Sequence, residues 1–107
     1  MTDLAEPIAR MIDATNSGNS EEFIACFTKD AYLEDWGREF HGHDGVARWN
    51  LSDNIGKRTR FLPRAVRGDD THQIVTLEVS GDGFNGTSDI VFEVRDDLIS
   101  RLIISAD

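Results

Sequence analysis

Residues 27–49 read Phe27-Thr-Lys-Asp30-Ala-Tyr32-Leu-Glu-Asp35-Trp-Gly37-Arg38-Glu-Phe40-His41-Gly-His43-Asp-Gly-Val-Ala-Arg48-Trp49. A helix ends near Phe27, and a short strand over 31–36 closes on Glu34-Asp35-Trp36, an acid beside a large aromatic just before a glycine turn. Strand side chains alternate, so Leu33 and Asp35 share one face and Tyr32, Glu34 and Trp36 the other, at a rim or an interface. Leu33 belongs inside, so Asp35 is expected to look inward. A carboxyl set among apolar side chains is a usable proton acceptor. Residues 37–42 form a turn with a stub of strand at Glu39–Phe40. Asp44 then caps a helix over 44–54, with Val46, Trp49 and Leu51 or Ile55 toward the core, and Gly56 ends it.

Upstream, Leu4, Ile8, Met11, Ile12 and Thr15 recur at helical spacing over 4–16, with Pro7 in the first turn. Asn16-Ser-Gly18-Asn stops that helix. Ser20 caps a second, short one running to about Phe27. Downstream, residues 59–67, 72–80, 87–95 and 98–105 are rich in Val, Ile, Thr and Phe and read as strands. Gly68-Asp69-Asp70, Gly81-Asp-Gly83 and Asp96-Asp97 separate them, and turns this short make consecutive antiparallel hairpins. Helices first and a meander after give an α+β fold with the helices on one side of a sheet. With 107 residues and no linker or repeat, 1–107 is expected to be one domain.

The net charge of −9 argues against nucleic acid, which needs a basic stripe, and against an anionic membrane surface. Arg58, Arg60, Arg64 and Arg67 alternate with Phe61, Leu62 and Val66, as on the polar side of a sheet. No charged-then-apolar leader opens the chain and no apolar run reaches the length of a membrane span, so the expected setting is the cytoplasm. The lone cysteine, Cys26, excludes an internal disulfide and reads as a buried thiol. His41-Gly-His43 is a rim pair rather than a metal site, lacking a third ligand and a rigid frame. Gly81-Asp-Gly83-Phe-Asn-Gly86 satisfies G-x-G-x-x-G, but a strand and not a helix follows it, so no dinucleotide is expected there. Its glycines serve a turn or bulge.

The element order, with Asn16-Ser-Gly18-Asn, Phe27-Thr-Lys-Asp30-Ala31, Asp35-Trp-Gly37-Arg-Glu-Phe-His-Gly42 and Gly83-Phe-Asn-Gly86, resembles the nuclear transport factor 2-like superfamily. Within it, small bacterial SnoaL-like proteins are the most similar. The resemblance implies a cone-shaped curved antiparallel sheet wrapped around about three N-terminal helices, enclosing an apolar pocket. Asp35 matches the proton-shuttling Asp of ketosteroid isomerase. The isomerase's two oxyanion donors fall near Met11 and Ile90, neither of which can donate. Asp89 lies one residue off, on the opposite strand face. Losing such a donor costs about 10²–10³ in rate.

The function implied is a cofactor-independent isomerase, cyclase or dehydratase acting on a small apolar ketone-like molecule, with Asp35 as general base. Trp49, Phe27 and Tyr32 would hold its rings. Tyr32, Arg38 or His41 would stabilise an enolate, and Asn85 would stand at the pocket mouth. The alternative is a non-catalytic module binding a small hydrophobic ligand, or a dimeric interaction module. A homodimer through the outer sheet face is compatible with each, with Val66, Ile74, Val91 and Ile103 supplying apolar area.

Overall fold

The computed structural model describes residues 3–105. Two helices, α1 (Glu6–Ser17) and α2 (Ser20–Ala25), precede strands β1 (Phe27–Asp35) and β2 (Arg38–His41). Helix α3 (Gly42–Asp53) and a 3-10 turn (Ile55–Lys57) lead into β3 (Arg60–Gly68), β4 (His72–Ser80), β5 (Gly86–Arg95) and β6 (Leu98–Ile104). The strand order is β2-β1-β6-β5-β4-β3. Neighbours are antiparallel except β1 and β6, which run parallel. The meander is the one expected from sequence, and its return to β1 closes the curved α+β sheet over the helices.

Register shifts interrupt the ladders between Phe27 and Tyr32 of β1, between Pro63 and Ala65 of β3, and opposite Glu93 and Val94, where the extra residue is Ser100 of β6. Such bulges bend strands and increase twist, which lets six strands wrap three helices. The bulge in β3 also reverses parity. Val66 stands opposite fully buried Val75 and packs against the core, so it lies on the inner face, not on the outer face expected for it. Ile74, Val91 and Ile103 do form one cross-strand row on the outer face, each half-buried.

The helices pack on the inner face. Ile8, Met11 and Ile12 of α1, Phe23 of α2 and Val46 and Trp49 of α3 meet Leu33, Leu77, Phe92, Ile99 and Leu102 of the sheet, all buried. Burying each large side chain contributes about 1.5–3 kcal/mol. Helix α1 ends where Gly18 takes φ +72, with Gly18 N–H donating to Thr15 O and Asn19 N–H to Ala14 O. The side chain of Asn19, rather than Ser20, caps α2 by accepting Glu22 N–H at 3.1 Å. Asn16 then ties the end of α1 to β3, donating to Phe61 O at 2.9 Å and accepting Phe61 N–H at 2.7 Å.

The first strand begins at Phe27, four residues earlier than expected, and α3 begins at Gly42, with His41 rather than Asp44 in the cap position. Gly56 lies inside the 3-10 turn; a Cβ there would fall 1.6 Å from Leu51 O, so only glycine fits. No helix among the described residues is long and apolar enough to cross a membrane.

Candidate functional site

A cavity of about 760 Å³ opens where the β1–β2 turn, the C-terminal end of α3 and the β4–β5 turn meet. Its size suits a small-molecule site, which typically spans roughly 300–1,000 Å³. Trp49, Phe61, Val79, Ile90 and Ile104 give it apolar walls, while Asp35, Arg38, Asp53 and Lys57 put charge at its mouth.

Asp35 enters this cavity by strand parity. Ala31 and Leu33 are fully buried, and Asp35 is the next residue on their face, its side chain 15 % exposed. Trp49 Nε1–H donates to Asp35 Oδ2 at 2.9 Å, and Arg38 Nη2 donates to the same oxygen at 2.8 Å. Among the described residues no side chain donates to Oδ1, and Asp35 lines the cavity. The two bonds fix the plane of the carboxylate without occupying its second oxygen.

Each donor is itself held. Trp49 sits on α3 with its ring stacked on Phe23, centroids 6.1 Å apart. Arg38 pairs with Asp35 across the hairpin, whose two turn residues, Trp36 and Gly37, both take positive φ, +52 and +86. A two-residue turn of that kind matches the strand twist. The guanidinium also bridges to α3, with Nη1 at 3.2 Å from Asp53 Oδ2 and Nη2 at 3.0 Å from Asp53 Oδ1. Hydrogen bonding to Asp53 outweighs burial and raises the Arg38 pKa. Burial alone would raise the Asp53 pKa. The hydrogen bonds from Arg38 and Ser52, with the charges of Arg38 and Lys57, reverse that and hold it below the usual carboxylate range.

Of the residues expected at the site, Asp35, Trp49 and Arg38 come together and the others do not. Phe27 is a core residue, 5.2 Å from the Phe23 ring and away from the cavity. Tyr32 points from the outer face of β1, donating to Glu34 Oε1 at 2.7 Å and lying under Arg101 at 4.6 Å. The bond to Glu34, which favours the protonated phenol, pushes its pKa up to about 12. His41 is exposed beside Tyr32, 5.2 Å ring to ring, and belongs to the outer face as well. Asn85 braces the β4–β5 turn, donating to Gly81 O at 2.9 Å and Gly83 O at 3.2 Å, while Phe84 beside it lines the cavity. Trp36 leaves the strand at the turn and borders the mouth, 60 % exposed.

His43 Nε2 donates to Phe27 O at 2.8 Å and serves as a helix-to-strand tie. Cys26 is buried, and desolvation pushes its thiol up to about 11, out of reach as a nucleophile at neutral pH. The four arginines near β3 are all exposed, and Arg58, Arg64 and Arg67 pair with Asp82, Glu78 and Asp89.

Two site residues escaped the sequence reading. Asp53 lies one helical turn beyond Trp49, and that i, i+4 spacing was the available signal. Ser88 lies two residues before Ile90 on β5, so it shares the inward face. The positions matching the isomerase donors are apolar in fact: Met11 is packed in the core and Ile90 forms cavity wall. Asp89 borders the cavity, but its carboxylate accepts Thr76 Oγ1 at 2.6 Å and faces Arg67 at 3.7 Å, on the outer face.

A family model described as a SnoaL-like domain matches residues 8–102. Among solved structures, a candidate polyketide cyclase from Sinorhizobium meliloti is 26% identical, with TM-score 0.87 and 96% of each chain covered. Δ5-3-ketosteroid isomerase from Mycobacterium sp. is 17% identical, TM-score 0.79, covering 94% of this chain and 90% of that one. The epoxide hydrolase/cyclase-like enzyme SalBIII of salinomycin pyran-ring formation is 15% identical, TM-score 0.80, covering 94% and 87%. The last two show the fold alone. No curated protein matches the sequence. With the match to the family model spanning nearly the whole chain, this protein belongs to the SnoaL-like domain family.

Proposed function

We propose that the cavity takes a small, largely apolar carbonyl compound and that Asp35 moves one of its protons, in an isomerisation or cyclisation. The observation that carries this reading is the divided carboxylate of a cavity-lining residue: Oδ2 is held by Trp49 and Arg38, while Oδ1 takes no side-chain hydrogen bond among the described residues. In the proton-transfer step, Asp35 Oδ1 takes a proton from the carbon beside the carbonyl. The C–H bond breaks, an O–H bond forms, and the electron pair passes to the carbonyl oxygen as an enolate. Return of the proton at another carbon isomerises the molecule; alternatively the enolate carbon attacks an internal carbonyl, a C–C bond forms as the C=O π bond breaks, and the resulting alkoxide takes the proton back from Asp35. A positioned base of this kind typically contributes about 10²–10⁴ in rate.

A simple enolisable ketone tests the step. Incorporation of deuterium from the solvent into 2-tetralone, followed by proton NMR, should run faster with the protein than in buffer. Asp35→Asn should return it to the buffer rate. An unchanged rate in that variant overturns the assignment of the base.

One observation favours the second reading, a binding module without chemistry. Both positions that would supply the isomerase's oxyanion donors are apolar, Met11 in the core and Ile90 on the wall. Saturable quenching of tryptophan fluorescence by 2-tetralone with no gain in exchange would select it. The same proposal includes a second copy of the chain on the outer sheet face, over the row Ile74, Val91 and Ile103. Sedimentation should then show a dimer that Val91→Glu dissociates; a monomer at all concentrations contradicts it.

A further inference from the structure

We infer that Ser88 is the second polar anchor of the cavity, its hydroxyl donating to an oxygen of a molecule whose other end meets Asp35. The inference rests on the cavity being a ligand site, as proposed above, and adds what the ligand must carry.

Three observations converge on Ser88. It stands opposite fully buried Leu77 and two residues from Ile90, so it faces inward from β5. It lines the same cavity as Asp35. The neighbouring inward-facing donors of the wall are already engaged: Trp49 and Arg38 bond to Asp35, Thr59 Oγ1 donates to Asp53 O at 3.3 Å, and Asn54 donates to Thr15 and Asn50; Asn54 Oδ1 has no partner but can only accept, and Lys57 is exposed. Among the described residues the Ser88 hydroxyl makes no side-chain hydrogen bond. Thr87 and Ser105 also border the cavity without such a bond, but both are exposed, and Thr87 shares the outer face with Glu78.

The sheet register sets the spacing between the two anchors. Asp35 pairs with Ile104, and Ile104 pairs with Ile90, so these three residues form one row across β1, β6 and β5. Ser88 therefore lies two strands across from Asp35, about 10 Å, and two residues further along, about 7 Å. Curvature toward the helices draws the two side chains closer. Between them the wall is Ile104 and Ile90. The arrangement calls for a rigid apolar body with a hydrogen-bond donor at one end, for Asp35, and a carbonyl or ether oxygen at the other, for Ser88.

Three bicyclic probes separate the parts: 6-hydroxy-2-tetralone, with an oxygen at each end; 6-hydroxytetralin, which lacks the ketone; and 2-tetralone, which lacks the hydroxyl. Affinities come from quenching of tryptophan fluorescence. The wild-type protein should bind 6-hydroxy-2-tetralone about 3–10-fold more tightly than 6-hydroxytetralin, the range of one neutral hydrogen bond. Ser88→Ala should erase that preference and leave 6-hydroxytetralin affinity unchanged, and Ser88→Thr should keep it. Equal binding of the first two probes by the wild type, or a preference that survives Ser88→Ala, overturns the role of Ser88 while the cavity reading stands. Binding of none of the three by a folded protein overturns both.

Discussion

The end of β1 carries two carboxylate–aromatic pairs on opposite faces. Inside, Trp49 Nε1–H donates to Asp35 at 2.9 Å; outside, Tyr32 Oη donates to Glu34 at 2.7 Å. The chemistry of the two bonds is nearly the same, and their surroundings are not. Asp35 opens onto a cavity with apolar walls, whereas Glu34 and Tyr32 join a solvent-facing group with His41 and Arg101. One residue of strand register separates a group that can work on a sequestered molecule from one that stiffens a surface. The charged residues around the cavity show the same division. Arg38 and Asp53 tie β2 to α3 and orient Asp35, while the outer pairs Arg64–Glu78 and Arg67–Asp89 are exposed and orient nothing in the cavity.

Breaking each pair in turn tests this division, and the inner carboxylate should give the largest effect. Asp35→Asn is expected to lower ketone deuterium exchange by at least about 10²-fold, and Glu34→Gln to leave it within twofold. Comparable losses in both would mean that the face makes no difference. The next largest effect belongs to the aromatic partners. Trp49→Phe keeps a ring on Phe23 but removes the indole N–H, and about a 3–10-fold loss of exchange should follow from a less fixed carboxylate. Tyr32→Phe removes a hydroxyl that serves only the outer face, and its exchange rate should match wild type.

The smallest effect concerns stability. The Asp53 pKa is depressed in the folded protein, so its contribution is fully present above the unfolded carboxylate value of about 3.9. That contribution is lost as pH falls through the lower folded value. Asp53→Asn should cost up to about 1 kcal/mol at pH 7, given a partly exposed pair. Urea unfolding should show the gap to wild type closing as the pH drops from about 5 to about 2. A gap that stays constant across that range would separate Asp53 from Arg38.

Much of this division is legible from local sequence. Alternation of Leu33 and Asp35 against Tyr32 and Glu34 sorts the two faces of β1, and the short turns order the meander. The β4 bounds, His72–Ser80, follow from composition and turn residues alone. Less local features are hidden. The parallel pairing of β1 with β6 joins residues about seventy positions apart, and no local pattern encodes it. The bulge after Pro63 reverses the face of Val66 without a sequence mark beyond the proline itself. Tyr32 and His41 are ligand contacts only in the function that the resemblance implies, and the strand parity that puts Tyr32 opposite Asp35 holds, with the hairpin register placing both residues on the outer side. Asp53 was hidden because its role needs Arg38 to cross from β2 to α3, a contact that only the fold creates.

The most direct test is an indole ¹H–¹⁵N spectrum of the protein titrated with 2-tetralone. Its two tryptophan N–H signals are separated by a Trp36→Phe variant. The account predicts that the Trp49 signal, whose proton rests on Asp35, shifts saturably with the ketone while outer-face backbone signals around Tyr32 stay fixed. A Trp49 signal unmoved at saturating ketone, with shifts confined to the outer face, would contradict it.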